Sequence, residues 1–207
     1  MCLSHPVSRQ RGFNLVEMLI TLAVLAILLA VALPTFRDLI GRNQVSSASN
    51  ALSADLAYAR TEAITRGTSV FVCPRTSDGS DCMNPDLGSS YASGWLVYTY
   101  KPGTRVSGAV FSRDSVGGLL LRKTTGLRGL SIRATDGKAI GFDQLGQFKS
   151  DVGSANPRLP PSFLICSMAA AGGIGISTTH VPGTSMVLAA SGSVRHAVMA
   201  SGMPCST

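Results

Sequence analysis

Nineteen consecutive residues, Leu15 to Leu33, carry one charge, Glu17, and one other polar side chain, Thr21. At about 1.5 Å per residue they make about 28 Å of helix, close to the hydrocarbon thickness of a bilayer. Leu, Ala, Val and Ile dominate, and no Gly or Pro intervenes before Pro34, so a helix is the natural conformation. The rest of the chain must be organised around a membrane segment near the N-terminus.

The flanks distinguish this segment from a removable signal. A secretory signal peptide places its apolar core before the cleavage site. Here a short polar stretch with Arg9 and Arg11 ends in Gly12, and a cut between Gly12 and Phe13 would leave the apolar helix on the mature chain. Glu17 lies inside the run, where an ionised carboxylate costs about 2.5–3.5 kcal/mol at the helix centre and less near the interface. It therefore needs a cation, and the nearest one after such a cut is the new α-amine of Phe13, its own or a neighbour's.

Gly12-Phe13-Asn14-Leu15-Val16-Glu17 resembles the type IV prepilin motif: a basic leader, Gly before the cut, Phe after it, and Glu fifth in the mature chain. The resemblance implies cleavage by a prepilin peptidase on the cytoplasmic side, N-methylation of Phe13, and assembly with other pilin or pseudopilin subunits through Glu17. Pro34 falls where such proteins kink their long N-terminal helix. An ordinary signal anchor with a chance Glu is the alternative. Orientation also rests on the resemblance, because Arg9 and Arg11 on one side are matched by Arg37 and Arg42 on the other, the latter offset by Asp38. It places the N-terminus in the cytoplasm and the remainder in the periplasm, with a single pass through the inner membrane.

The expected organisation is a leader at 1–12, a membrane and filament-core helix at 13–34, an amphipathic second half of that helix at 35–66, and a β-rich globular domain at 67–207. Beyond Pro34, the residues Val45, Leu52, Leu56, Ala59 and Ala63 recur at helical spacing. Arg42, Asn50, Asp55, Arg60 and Glu62 fall mostly elsewhere, and Gly67 supplies a stop. The apolar stripe packs on the globular domain or on a partner helix in a filament.

After Ser69 the periodicity changes to short β-prone runs: 69–73, 94–100, 119–122, 130–134, 138–142, 163–166, 186–190 and 192–198. Asp136-Gly137 between two of these runs predicts a tight hairpin. The fold class is α+β, a long helix packed on antiparallel sheet.

Val70-Phe71-Val72-Cys73-Pro74, Asp78-Gly79, Cys82 and Gly94-Trp95-Leu96-Val97-Tyr98 resemble the globular domain of GspH/FimT-type minor pseudopilins. Ile140-Gly141-Phe142-Asp143-Gln144-Leu145-Gly146 and Ser191-Gly192-Ser193-Val194-Arg195 match more loosely. The implied role is a subunit that primes or tips a type IV pilus or a type II secretion pseudopilus. Some FimT-type pilins resemble DNA receptors for natural transformation, with a C-terminal Gly-Arg-x-Arg element contacting the DNA backbone. This chain keeps Gly192, Val194 and Arg195 in that frame but has Ser193 in place of the first Arg, so DNA is the alternative partner, weakened unless Arg128, Arg133 or Arg158 lies nearby. The net charge of +7, of which Arg9 and Arg11 supply two, suits DNA or acidic polysaccharide and selects neither.

Cys2 belongs to the leader. Cys73, Cys82, Cys166 and Cys205 would face an oxidising periplasm, where four cysteines allow three pairings. Cys73–Cys82 closes a small loop, Cys166–Cys205 ties the C-terminal tail to a strand, and such closures contribute about 3 kcal/mol or somewhat more. Zinc competes poorly, because eight residues between Cys73 and Cys82 is not a usual ligand spacing and no His joins them. No catalytic, metal or cofactor site is expected. His180 and His196 are isolated in sequence, Gly172-Gly173-Ile174-Gly175 lacks the Lys-Ser/Thr of a nucleotide loop, and Asp136 and Asp143 sit in turn-like contexts. An enzyme tethered by the helix is the least supported alternative.

Overall fold

The computed structural model describes residues 12, 14–83, 89–101, 111–112, 117–126, 128–135, 137–149, 159–168 and 173–206. They fall into two compact units, one ending at Leu39 and the other comprising Ile40–Thr207. A single helix, α1 (Leu15–Arg66), contributes to both.

Helix α1 begins at Asn14, whose side-chain oxygen accepts the Val16 N–H at 3.3 Å while its carbonyl accepts the Met18 N–H at 3.1 Å, an N-cap arrangement. Glu17 sits in the first turn, where a negative charge complements the helix dipole. Every described side chain from Leu15 to Leu33 is exposed in the monomer, and the helix holds a stretch long and apolar enough to cross a membrane. The helix runs on past Pro34, which offers no N–H to the carbonyl one turn back. It ends at Gly67, whose φ of +62° suits the left-handed position just beyond a helix and whose N–H reaches the Ile64 carbonyl at 3.3 Å.

The second unit carries two antiparallel sheets. The first contains β1 (Val70–Pro74), β2 (Gly94–Tyr100), β3 (Gly118–Thr125), β5 (Ile140–Phe142) and β6 (Phe148–Lys149), in the order β3-β2-β1-β5-β6. The second contains β4 (Leu130–Ala134), β7 (Ser162–Ser167), β8 (Thr184–Leu188) and β9 (Val194–Val198), in the order β4-β7-β8-β9. The expected stripe Val45, Leu52, Leu56, Ala59 and Ala63, joined by Ala48, packs into one core with Val70, Val72, Trp95 and Val97 of the first sheet and Ile132, Phe163, Ile165 and Met186 of the second. Each such large apolar side chain contributes about 1.5–3 kcal/mol on burial. A smaller cluster of Phe71, Cys73, Leu96, Tyr98, Tyr100 and Phe111 covers the opposite face of the first sheet. This is why all seven residues of β2 are buried rather than every second one.

Two expectations are corrected. Strands β4 and β5 do not form a hairpin: β4 pairs with β7, and β5 pairs with β1 and β6. Both strands direct apolar side chains into the same core, so the residues between them carry the chain from one sheet to the other; Asp136 itself lies outside the described residues. Asp55, grouped with the polar helix positions, is 4% exposed. It lies three residues after Leu52 and one before Leu56, on the stripe itself.

Candidate functional site

At the N-terminal end the structure places Gly12 and Asn14 just outside the helix, with Glu17 in its first turn. Gly12 is exposed, and a Cβ built there would meet nothing within 4 Å. Phe13, Arg9 and Arg11 lie outside the described residues. Among the described residues the ion pairs Glu62–Arg66 and Asp55–Arg122 form, and neither involves Glu17. Glu17 therefore has no cation from this part of its own chain, in a segment where a carboxylate needs one.

The four later cysteines form two disulfides, Cys73–Cys82 and Cys166–Cys205, with Cα atoms 5.6 and 6.0 Å apart. Within the first loop, Asp78 accepts the hydroxyls of Ser80 and Thr76 and the Ser80 N–H. Those bonds, the Ser80 hydroxyl foremost, pull its pKa down to about 2. Gly175, from the glycine-rich segment, packs beside the second disulfide: a Cβ there would lie 2.7 Å from that of Cys166. Close packing explains this glycine without a phosphate. Asp143 accepts the N–H groups of Leu145 and Gln147, each at 2.9 Å, in an Asx-turn.

Asp55 fastens the helix to the first sheet, a role its sequence position disguised. Its carboxylate accepts Trp95 Nε1–H at 2.8 Å, the Thr124 hydroxyl at 2.5 Å and an Arg122 N–H at 2.7 Å. Three donors satisfy a buried carboxylate that would otherwise be costly. Arg122 lies 4.0 Å from the Tyr58 ring centre, and its hydrogen bond to Asp55 raises its pKa further above its ordinary value. An acid on the apolar stripe was the signal available in the sequence.

The segment considered for DNA forms the β8–β9 turn. Gly192 has φ +79°, and a Cβ there would come 2.3 Å from the Gly146 carbonyl oxygen, so its glycine is dictated by packing. Ser193 is exposed, with its hydroxyl 3.0 Å from that of Ser191, and Val194 packs against the core. Arg195 is exposed opposite Val187. Through the register Arg133↔Leu164↔Ser185↔Ala197, Arg133 and Arg195 share the face of this sheet turned away from the helix. Arg128 is exposed in the turn before β4, and Arg158 lies outside the described residues. His180 is exposed, its carbonyl accepting Arg42 Nε–H, while His196 reaches two helix serines, Ser49 and Ser53, at 3.1 and 3.0 Å.

Comparison with known proteins follows the same division. Residues 7–33 match the prokaryotic N-terminal methylation motif, and residues 48–194 match type II transport protein GspH. Over 41 residues the chain is 46% identical to the fimbrial protein EcpC of Eikenella corrodens, which covers 20% of this chain and 27% of that protein. Over 61 residues it is 39% identical to a fimbrial protein of Pseudomonas aeruginosa, covering 30% and 39%. The chain thus spans between about a quarter and two fifths of the length of these relatives. Among solved structures, the type IV minor pilin FimU of Pseudomonas aeruginosa aligns with a TM-score of 0.48 at 19% identity, covering 77% of this chain and 96% of that one. With the GspH match spanning most of its length and the methylation motif preceding it, the chain belongs to the GspH family of type IV minor pilins and pseudopilins.

Proposed function

We propose that this chain is a minor subunit of a type IV pilus or a type II secretion pseudopilus, held in the inner membrane until it enters the filament. Residues 1–12 are the leader, removed between Gly12 and Phe13 by a prepilin peptidase, after which Phe13 is N-methylated. Residues 13–34 span the membrane with the N-terminus in the cytoplasm, Pro34 allows a kink, and 35–66 continue the helix into a periplasmic domain at 67–207. In the filament the apolar helices pack together and Glu17 sets register by pairing with the terminal amine of a neighbour. The role is mechanical rather than catalytic.

The observation that carries this reading is a carboxylate in the first turn of an apolar helix, without a cation among the described residues, joined to a GspH-family domain. Replacing Glu17 by Val removes the one charge of the apolar run, so membrane insertion is retained or improved. Incorporation into filaments beside wild-type subunits falls sharply, as read by immunoblotting of sheared filaments. Normal incorporation of Glu17→Val contradicts the pairing.

One observation favours a DNA-binding role as the second reading: Arg195 and Arg133 lie on a common sheet face. Two such cations can neutralise backbone phosphates without reading sequence. Arg195→Glu then weakens duplex binding by the detergent-solubilised chain and flattens its salt dependence, while Ser193→Arg strengthens binding. No binding at low salt, with none created by Ser193→Arg, removes this reading.

A further inference from the structure

Helix α1 and strand β9 border a groove to which the filament role assigns no use. Among the described residues strand β9 ends its sheet and pairs only with β8. Opposed residues of an antiparallel pair alternate between hydrogen-bonded and open. The bonds from Ala189 N–H to Ser193 O and from Met199 N–H to Gly183 O set the phase. Arg195 and Ala197 therefore bond to β8, whereas the N–H and C=O groups of Val194, His196 and Val198 face the free edge, with no strand partner among the described residues. The side chains of these three residues lie on the helix side, and the His196 ring bridges Ser49 and Ser53.

That ring separates two recesses of about 400 and 540 Å³. The first is lined by Arg42 and Asn50, the second by Arg60, Thr61 and Ser193, and no carboxylate among the described residues lines either. Arg60 Nε is buried and has no hydrogen-bond partner among the described residues. From Arg42 to Arg60 the helix rises about 27 Å at 1.5 Å per residue, the length of about eight extended residues.

We propose that this groove receives an extended, acidic segment of another protein, which adds to β9 as a fifth strand and directs its carboxylates at Arg42 and Arg60. The free edge supplies main-chain hydrogen bonds, and the cationic recesses select alternate acidic side chains. A second copy of this chain fits poorly, because its net charge is +7 and its eleven acids are dispersed. The inference stands apart from the choice between pilus and pseudopilus.

The test uses the full chain in detergent micelles and two fluorescein-labelled octapeptides of alternating Thr or Val with either Glu or Lys, followed by anisotropy at low salt. The Glu peptide binds and the Lys peptide does not. Asn50→Glu places a like charge in the groove, and Val198→Pro removes an edge-facing N–H. Each weakens Glu-peptide binding about tenfold or more with an unchanged circular dichroism spectrum. The proposal is overturned if the Glu peptide fails to bind, if the Lys peptide binds equally, or if neither variant alters affinity. It is equally overturned if a short oligodeoxythymidine binds more tightly and with the same sensitivity to Asn50→Glu.

Discussion

Asp55 ties three parts of the molecule through one carboxylate: the helix that bears it, Trp95 of β2, and Arg122 and Thr124 of β3. Truncation leaves the buried indole N–H without an acceptor and Arg122 without its ion pair. Asp55→Ala should therefore lower stability by about 2–4 kcal/mol, the lower end reflecting the half-exposed Arg122. Asp55→Asn, which keeps one oxygen acceptor, should cost less. Urea titration of the detergent-solubilised chain, followed by fluorescence of Trp95, its single tryptophan, measures both; equal stability of all three proteins contradicts the role. The same residue marks a limit of sequence reading. Helical spacing locates the stripe, but an acid at a stripe position reads as lying off it because its partners lie 40 and 67–69 residues away. Gly192 is a comparable case: a motif glycine whose reason, the Gly146 carbonyl, lies in another turn.

Among the elements, those with strong local signals were legible. The helix end at Gly67, the stripe from Val45 to Ala63, and β2 and β4 follow from periodicity and turn residues. Pairing was less so. Asp136-Gly137 suggested a hairpin, yet β4 and β5 go to different sheets, because which strand adds beside which is decided by the shared core. The two-residue β6 carries too little pattern to be seen. The 76–81 loop, enclosed by Cys73–Cys82, gives an element whose behaviour follows from its hydrogen bonds. Asp78 has a folded pKa of about 2 against an ordinary 3.8. A depressed carboxylate stabilises the fold above its unfolded value, and that contribution is lost as pH falls through the folded one. Between about pH 5 and pH 2, the unfolding midpoint of the wild type should fall more steeply than that of Asp78→Asn, the two curves converging near pH 2. Parallel curves over that range contradict the hydrogen-bonded loop.

For the whole molecule, the chain combines an apolar helix, exposed along its first half, with a compact two-sheet domain whose core it completes along its second half. An exposed apolar surface of that length has two environments that relieve it, a bilayer and a bundle of like helices. Alternation between them is what a filament subunit drawn from a membrane requires. Glu17 is tolerable in both only if it finds a cation, and the proposed cleavage before Phe13 would supply one, a terminal amine four residues away in its own chain or in a neighbour. Everything in that scheme depends on where the mature chain starts. Mass spectrometry of the protein purified from cells containing a prepilin peptidase tests it directly. The account predicts an N-terminal peptide beginning with N-methyl-Phe13 and no peptide from residues 1–12, with Gly12→Glu blocking the conversion; recovery of the wild type as an unprocessed, unmethylated chain would contradict it.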